Sequence, residues 1–416
     1  MREGWGDWFD KKGEFLKKNK MFKSDWPVLD QMNNMILLDP ASFGVGKLTE
    51  DDQIVRNWWM SEFNRTPFLG EKTLERGSES RSENKGTERR TLNDNARNGA
   101  RGPEFLNHLY ADGKRWGYYP GLPPHLAFTQ FMDAFFRMGK CDTRVFMVWN
   151  SPPWMYGVRH QRGLESLLFH HRDACVVVFS ETIELDFFKD KFVNDGYKVA
   201  VVMPNLDELL KDTPTHIFSS VWFEWRKTKF YSTHYSELIR LAALYKYGGI
   251  YLDSDIIVLK PISSLNNSVG MENNVAGSAL NGAVMAFRRH SLFIKECLKE
   301  FYMTYDDTSL RWNGADLLTR VVKIFLRDKN ENAKLELKVE PAETFFPISS
   351  QNITRYFMEP ETETEKAQQD ILFEKLLRKS LTFHFWNSLT STLIPEPESL
   401  VTRLINRSCI QCSELL

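Results

Sequence analysis

The sequence predicts an α/β fold built on a doubly wound, mainly parallel central sheet. Three short apolar runs rich in β-branched residues alternate with segments of helical spacing between residues 125 and 203. Such runs are typical of strands that helices bury on both faces. At 416 residues, 42% of them hydrophobic, the chain is long enough for a large packed domain and an additional segment.

The predicted elements follow one another regularly along the chain. Apolar spacing predicts helices at 125–138, 163–170, 185–194 and 232–247, and strands at 144–149, 174–179, 198–203 and 250–258. Thr233 is the expected N-cap of the last helix, and Gly248 with Gly249 is its expected stop. Ligands of doubly wound sheets bind beyond the carboxyl ends of the strands, so we expect a binding site after these strands.

Two aspartates lie in the last predicted strand. Asp253 and Asp255 are separated by one residue, and side chains two positions apart in a strand project to the same face. Paired carboxylates can hold Mn²⁺ or Mg²⁺ and leave coordination sites open for a diphosphate. An isolated Asp-x-Asp is usually a solvated turn, but here rigid apolar residues flank it on both sides. The pattern therefore indicates a metal site for an activated, phosphate-containing substrate.

Glu237 and Arg240 lie one turn apart in the helix before the aspartates. One interpretation is a surface ion pair that contributes a few tenths of a kcal/mol. The other is that the following strand brings them beside the aspartates, so that Arg240 contacts phosphate and Glu237 a ribose or sugar hydroxyl.

Six segments carry a resemblance to a known family: Ser236–Arg240, Asp253–Pro261, Leu280–Phe287, Trp312–Arg320, Phe346–Ile348 and His384–Asn387. Together they resemble glycosyltransferase family 32, specifically the plant form of the α-1,4-glycosyltransferases related to globotriaosylceramide synthase. The resemblance covers about residues 140–412, and it implies a GT-A fold, a nucleotide-sugar donor such as a UDP-hexose, and a glycan or glycolipid acceptor.

The resemblance also implies roles for individual residues, each with a simpler alternative. His384 would be a third metal ligand, or else a core histidine, and Trp386 would close over the nucleotide, or else pack in the core. Trp149 and Asn150, which follow the first strand, would contact the base and ribose.

Three polar residues belong to predicted turns. Asn313 and Asp316 are a helix start by default, and the resemblance places them beside the transferred sugar, with Asp316 and Glu237 as catalytic candidates. Asn281 is a turn residue by default and lies in an acceptor-side loop by resemblance. The family's α linkages imply that the donor's anomeric configuration is retained, but the sequence identifies no nucleophile.

Composition divides the chain into three parts. We expect an N-terminal stem-like segment at 1–70, a disordered polar linker at 71–102 and a catalytic domain at 103–412, with a nucleotide-sugar half (140–270) and an acceptor half (271–412). A net charge of −1 does not indicate a nucleic-acid partner. No apolar run is long enough for a transmembrane helix. The resemblance implies a Golgi location, with an anchor that this chain does not encode, and four Asn-x-Ser/Thr sequons fit a lumenal glycoprotein.

The five cysteines leave at least one thiol unpaired in a monomer. For Cys409 and Cys412 we rank a disulfide first, free thiols second and zinc third, because no second ligand pair completes a zinc site.

The favoured hypothesis is a metal-dependent α-glycosyltransferase that uses a UDP-linked hexose. Two alternatives are a mannosyl- or glucosyltransferase with another donor nucleotide, and a catalytically silent sugar-binding or scaffolding relative.

Overall fold

The computed structural model of the protein describes residues 109, 111, 115–274, 278–325 and 337–412. The predicted segments 1–70 and 71–102 lie outside these residues. The strands are β1 (Gly117–Tyr118), β2 (Arg144–Val148), β3 (Cys175–Phe179), β4 (Lys198–Val202), β5 (Gly249–Leu252), β6 (Ile256–Val258), β7 (Ser268–Met271), β8 (Leu280–Phe287), β9 (Lys338–Glu340) and β10 (Thr382–His384).

An eight-stranded sheet has the order β1-β4-β3-β2-β5-β8-β7-β9. The neighbours β4, β3, β2 and β5 pair in parallel, whereas β5 and β8 pair antiparallel, as do β8 and β7. This arrangement confirms the predicted α/β, GT-A-type class with a mainly parallel centre. The proposed boundary at residue 270 falls inside β7, so the two predicted halves share one sheet.

Helices cover both faces of this sheet. They are α1 (Phe128–Met138), α2 (Val158–His170), α3 (Leu206–Leu210), α4 (Ile217–Ser220), α5 (Trp222–Trp225), α6 (Tyr231–Tyr247), α7 (Leu292–Thr304), α8 (Ala315–Phe325), α9 (Ala342–Phe345), α10 (Glu363–Lys379), α11 (Asn387–Thr390) and α12 (Leu400–Asn406). In the described part of the chain, no helix has the length and apolar character needed to cross a bilayer.

Alternate residues of each central strand enter two separate cores. Phe146 and Val148 of β2 pack with α1, α6, α7 and α8, whereas Val145 and Met147 pack with α2, α12 and the two-stranded sheet formed by β6 and β10. This double burial explains why the strands appear in the sequence as uninterrupted apolar runs.

The two aspartates do not lie on one strand, which corrects the expectation from spacing. The chain leaves the large sheet after Leu252 and enters the small sheet at Ile256, so Asp253, Ser254 and Asp255 form the turn between them. The N–H of Asp253 donates to the carbonyl of Ala283 (2.8 Å), and the N–H of Ile256 donates to the carbonyl of Asp253 (3.2 Å). Backbone hydrogen bonds therefore fix the turn at the carboxyl end of β5.

Two local expectations are also wrong. Helix α6 begins at Tyr231, not after Thr233. Tyr231 and Tyr235 pack against Trp225 in the core through edge-on and tilted ring contacts, which favours an earlier start of the helix. Instead of a helix at 185–194, only a π-helical turn at Lys189–Val193 forms. Gly248 ends α6 as predicted, with a positive φ of 65° and ψ of 157°.

The C-terminal residues close against helix α2. Cys409 and Cys412 form the disulfide that we ranked first, and Cys141 and Cys175 form a second one that was not predicted. Between Cys409 and Cys412, the N–H of Ile410 donates to Glu165, whose side chain is fully buried (3.2 Å). The disulfide loop thus supplies a polar partner to a charged group inside the molecule.

Gly163 of α2 packs directly on the aspartate turn. A Cβ at this position would lie 2.8 Å from the carbonyl oxygen of Ile256 and 3.0 Å from that of Ser254. We expect Gly163→Ala to lower the free energy of unfolding by about 1–3 kcal/mol, because backbone atoms cannot move aside easily. Urea unfolding of this variant checks the value.

Gly157→Ala is the matched control, because a Cβ there meets no atom within 4 Å and an N-cap exchange costs under about 1 kcal/mol. A loss at position 163 no larger than in this control would contradict the close packing.

Candidate active site

A cavity of about 1030 Å³ opens at the carboxyl ends of β2 and β5. Its walls come from the end of β2, the start of α2, one side of α6, the aspartate turn, the loop before α8 and the segment after β10. The position agrees with the expected location of ligands in a doubly wound sheet.

Three candidate metal ligands meet at the floor of this cavity. Strand β10 pairs with β6 so that His384 lies opposite Ile256, immediately after the aspartate turn. One ligand atom each from Asp253, Asp255 and His384 lies within 4.8 Å of the others. The pairing of the small sheet therefore joins residues that are about 130 positions apart in the chain.

Asp255 and His384 form a buried ion pair, with 3.2 Å between Oδ2 and Nε2. Burial alone would raise the pKa of Asp255, but the His384 imidazolium outweighs it and lowers that pKa. Burial would likewise lower the pKa of His384, and Asp255 raises it instead. Each group therefore stabilises the charged form of the other.

The three side chains fit a divalent cation. Two carboxylates and one imidazole form a donor set that suits Mn²⁺. Among the described residues, the buried Nδ1 of His384 has no hydrogen-bond partner, and the Asp253 side chain is 29% exposed toward the cavity. The site thus has donors of the right chemistry and an open side.

Arg240 lies beside the aspartate turn as a cation whose side chain is 12% exposed. Its Nη2 is 3.5 Å from Oδ1 of Asp253, and its guanidinium carbon is 4.8 Å from the ring centre of Tyr251. Burial would lower the pKa of Arg240, but Asp253 foremost raises it, so the guanidinium stays charged. The interpretation of Arg240 as part of a surface ion pair is therefore wrong.

Glu237 is buried in the cavity wall one turn before Arg240. Burial raises the pKa of Glu237 to about 8, although Arg240 partly opposes this. Among the described residues, its Oε2 has no hydrogen-bond partner. The site therefore holds a neutral carboxyl group at pH 7, which can donate a hydrogen bond.

Two glycines from predicted turns make room for these side chains. A Cβ at Gly282 would overlap the guanidinium of Arg240, and a Cβ at Gly314 would overlap the carboxylate of Glu237. In the Asn-Gly pairs at 281 and 313, the glycines therefore leave space for Arg240 and Glu237. The sequence patterns did not indicate this role of the glycines.

The structure places Trp149 and Asn150 at the opposite wall. Trp149 makes edge-to-face contacts with Tyr156 (5.0 Å) and His160 (4.6 Å). Within the described residues, its Nε1 and the Nδ2 of Asn150 are buried without hydrogen-bond partners. Both residues line the cavity.

Asn281 and Trp386 also line the cavity, but both are held by protein groups. Asn281 donates to Glu272 (3.1 Å) and accepts from the N–H of Ala283 (2.8 Å). The Trp386 indole donates to the carbonyl of Ile348 (2.9 Å), and its ring centre is 4.4 Å from that of His384.

Asn313 and Asp316 do not line the cavity. Asn313 is buried and braces its own loop, because its amide accepts from the N–H of Asp306 (3.0 Å) and donates to the Asp306 carbonyl (2.6 Å). Asp316 is about half-exposed, 3.9 Å from Nε of Arg311. The side chain of Asn313 thus holds the turn, whereas Gly314 packs against Glu237 of the cavity wall.

Several residues that line the cavity had no signal in the sequence. Arg311 and Glu272 form a bidentate pair across one side (2.9 and 3.0 Å). Arg159 and His160 line the other side. Their neighbours in space are distant in the chain, so neither spacing nor a local motif identifies them.

Comparison with known families gives two matches in this chain. The model described as glycosyltransferase sugar-binding region containing DXD motif matches residues 157–276, and that described as alpha 1,4-glycosyltransferase conserved region matches residues 286–416. The first contains the aspartate turn and the second contains His384.

The chain is also similar to individual proteins. An uncharacterized protein of Arabidopsis thaliana is 58% identical over 438 residues, covering 100% of this chain and 68% of that protein. Lactosylceramide 4-alpha-galactosyltransferase of Mus musculus is 31% identical, covering 59% of this chain and 68% of that enzyme. Alpha-1,4-N-acetylglucosaminyltransferase of Homo sapiens is 26% identical, covering 49% and 58%.

Two solved structures are similar at lower identity. The PaToxG glycosyltransferase has a TM-score of 0.36 at 17% identity, covering 49% of this chain and 78% of that one. The galactosyltransferase LgtC, in complex with donor and acceptor sugar analogues, has a TM-score of 0.32 at 11% identity, covering 65% and 98%.

The raised pKa of Glu237 makes stability depend on pH. Its ordinary pKa is 4.5 and its folded value is about 8, so its stabilising contribution is complete below about pH 4.5 and is lost as the pH rises through 8. Gln cannot ionise. Between pH 5 and 8.5 in EDTA, we expect wild type to lose on the order of 3 kcal/mol of unfolding free energy relative to Glu237→Gln.

Urea unfolding of both proteins at several pH values measures this difference. Glu296→Gln, at a side chain that is 48% exposed, controls for the loss of one negative charge. Parallel stability curves for wild type and Glu237→Gln would show that Glu237 is not protonated in the folded protein.

Proposed function

This chain belongs to the DXD-containing α-1,4-glycosyltransferases of glycosyltransferase family 32, and from this premise we propose a metal-dependent enzyme that transfers a hexose from a UDP-linked donor to a glycan or glycolipid hydroxyl. The donor's α configuration is retained in the product. The observation that carries the proposal is the convergence of Asp253, Asp255 and His384 at the floor of the cavity beside the cation of Arg240.

Asp253, Asp255 and His384 would hold Mn²⁺ or Mg²⁺. A divalent ion there supplies Lewis-acid stabilisation of the diphosphate leaving group. Arg240 adds a fixed positive charge in a buried site, where it favours developing negative charge more strongly than it would in water. Asp253 and Tyr251 hold that guanidinium in place before any substrate binds.

The opposite wall favours the nucleotide. Trp149 and Asn150 present unpaired donors, and the neighbouring aromatic rings give an apolar surface for a base. Glu237 lies beside Arg240 and, as a neutral carboxyl, can donate to a sugar hydroxyl or to the leaving oxygen. We therefore favour Glu237 over Asp316 as the residue that contacts the donor sugar, because Asp316 does not line the cavity.

A front-face displacement fits these residues without a protein nucleophile. The bond from the anomeric carbon to the phosphate oxygen breaks, and its electron pair goes to the leaving diphosphate. The acceptor oxygen bonds to the anomeric carbon on the same face, and the leaving phosphate takes its proton. Asn281, Glu272 and Arg311 line the side of the cavity that remains for the acceptor.

We also propose a Golgi-lumenal location. The mouse relative is named for the transfer of galactose to lactosylceramide, and the human relative is named for the transfer of N-acetylglucosamine. The sequon residues Asn266, Asn352 and Asn406 are exposed, as a lumenal glycoprotein requires. The choice of galactose, N-acetylglucosamine or another hexose depends on contacts to the sugar hydroxyls.

Substituting one metal ligand tests this function. We expect Asp253→Asn and Asp255→Asn to lower Mn²⁺-dependent donor hydrolysis by roughly 100-fold or more, because an amide is a weaker and neutral ligand. A panel of UDP- and GDP-sugars, assayed with wild type first, identifies the donor.

Asp142→Asn, an exposed aspartate at the opposite end of β2, is the control. Equal hydrolysis by Asp255→Asn and wild type would rule out the metal role. Binding of nucleotide and Mn²⁺ by wild type, without turnover of any donor on any acceptor, would favour the silent sugar-binding alternative.

A further inference from the structure

The chain after His384 makes an unusual turn around Asp255. Trp386 has φ of 56° and ψ of 54°, the left-handed region that a side chain other than glycine rarely adopts. A conformation of this kind persists only where surrounding contacts fix it. Here the Trp386 indole is fixed by Ile348 and by the rings of Phe346 and His384.

This turn directs the backbone of Asn387 at a metal-ligand candidate. The N–H of Asn387 donates to Oδ2 of Asp255 (2.9 Å), the same oxygen that pairs with His384. Asp255 is therefore held by two groups on either side of the left-handed residue.

The side chain of Asn387 connects this arrangement to helix α2. Its Oδ1 accepts from Nη1 of Arg159 (2.9 Å), and its Nδ2 lies 2.9 Å from Nε2 of His160. Consequently, Asn387 contacts the turn with its backbone and the helix with its side chain.

Arg159 holds the whole segment that follows. Its Nη1 also donates to the carbonyl of Thr390 (2.9 Å), and its Nη2 donates to the carbonyl of Leu393 (2.6 Å). Its guanidinium carbon lies 5.3 Å from the ring centre of Phe357 and 5.1 Å from that of Phe385. A planar guanidinium can make all these contacts at once, which a lysine cannot.

Arg159 lines the cavity, so a phosphate-binding role must be weighed against this one. Both of its terminal nitrogens already donate to protein oxygens, whereas Nε of Arg240 has no partner among the described residues. Arg159 is thus committed to the protein.

We propose that Arg159 and Asn387 are positioning residues that fix Asp255 for metal binding. The proposal rests on the proposed metal-dependent function. It assigns to α2 the role of supporting Asp255 in the turn between β5 and β6. Groups that orient a metal ligand typically change metal affinity by 10–100-fold when they are removed.

The test uses the full chain with Arg159→Met, Asn387→Ala and the double variant. Met keeps an apolar side chain against Phe357 and Phe385 but cannot donate. The controls are Arg172→Met, which removes a guanidinium from the Tyr197 ring, and Asn352→Ala at an exposed position. Titration with Mn²⁺ alone, followed by electron paramagnetic resonance of the free ion, measures the dissociation constant.

We expect each single variant to bind Mn²⁺ about 10–100-fold more weakly, and the double variant to be little worse than either, because both act through one contact. The controls should bind like wild type. Wild-type affinity in Arg159→Met and Asn387→Ala, with both folded by circular dichroism, would overturn the proposal.

Hydrogen exchange in EDTA gives a readout that needs no metal. The amide of Asn387 should exchange faster in Arg159→Met than in wild type or Arg172→Met, because its bond to Asp255 is no longer held. If wild type binds no Mn²⁺, the metal-dependent function is wrong. Unchanged protection in Arg159→Met would then show that Arg159 does not fix Asp255 either.

Discussion

The site depends on one backbone interaction, the antiparallel pairing of β6 with β10. Strand β5 ends within the large sheet, and the turn at 253–255 connects its carboxyl end to β6 of the small sheet. His384 pairs with Ile256, so the backbone itself places the imidazole beside the carboxylates. No long, flexible side chain has to be ordered to bring the ligands together. Helix α2 packs behind the turn through Gly163, so the ligands have little freedom to separate.

Burial makes the electrostatics of this site strong. Asp255 and His384 stabilise each other's charge, and Asp253 does the same for Arg240. Among the described residues, Oε2 of Glu237 has no hydrogen-bond partner, and burial raises the pKa of Glu237 to about 8 although Arg240 partly opposes it. A fixed cation, paired carboxylates and a carboxyl group with a raised pKa therefore line one cavity.

Much of the fold could be predicted from the sequence, because strands that are buried on both faces of a sheet appear as continuous apolar runs. The Asp-x-Asp spacing led to two residues that line the cavity, although the geometric reason was incorrect: the carboxylates meet across a turn and not along a strand. The exact roles of Asn313, Arg159 and Asn387 could not be predicted. Their partners lie far away in the chain or depend on a left-handed Trp386, and no local propensity encodes either. The structure identified Gly282 and Gly314 as necessary because only three-dimensional packing shows what a Cβ would meet.

The most direct test is a crystal of the protein grown with Mn²⁺ and UDP, with diffraction data collected at the manganese absorption edge. We expect one strong anomalous peak bounded by Asp253, Asp255 and His384, with the diphosphate between it and Arg240. Clear density for UDP with no manganese peak at these residues, or with the peak elsewhere, would contradict it.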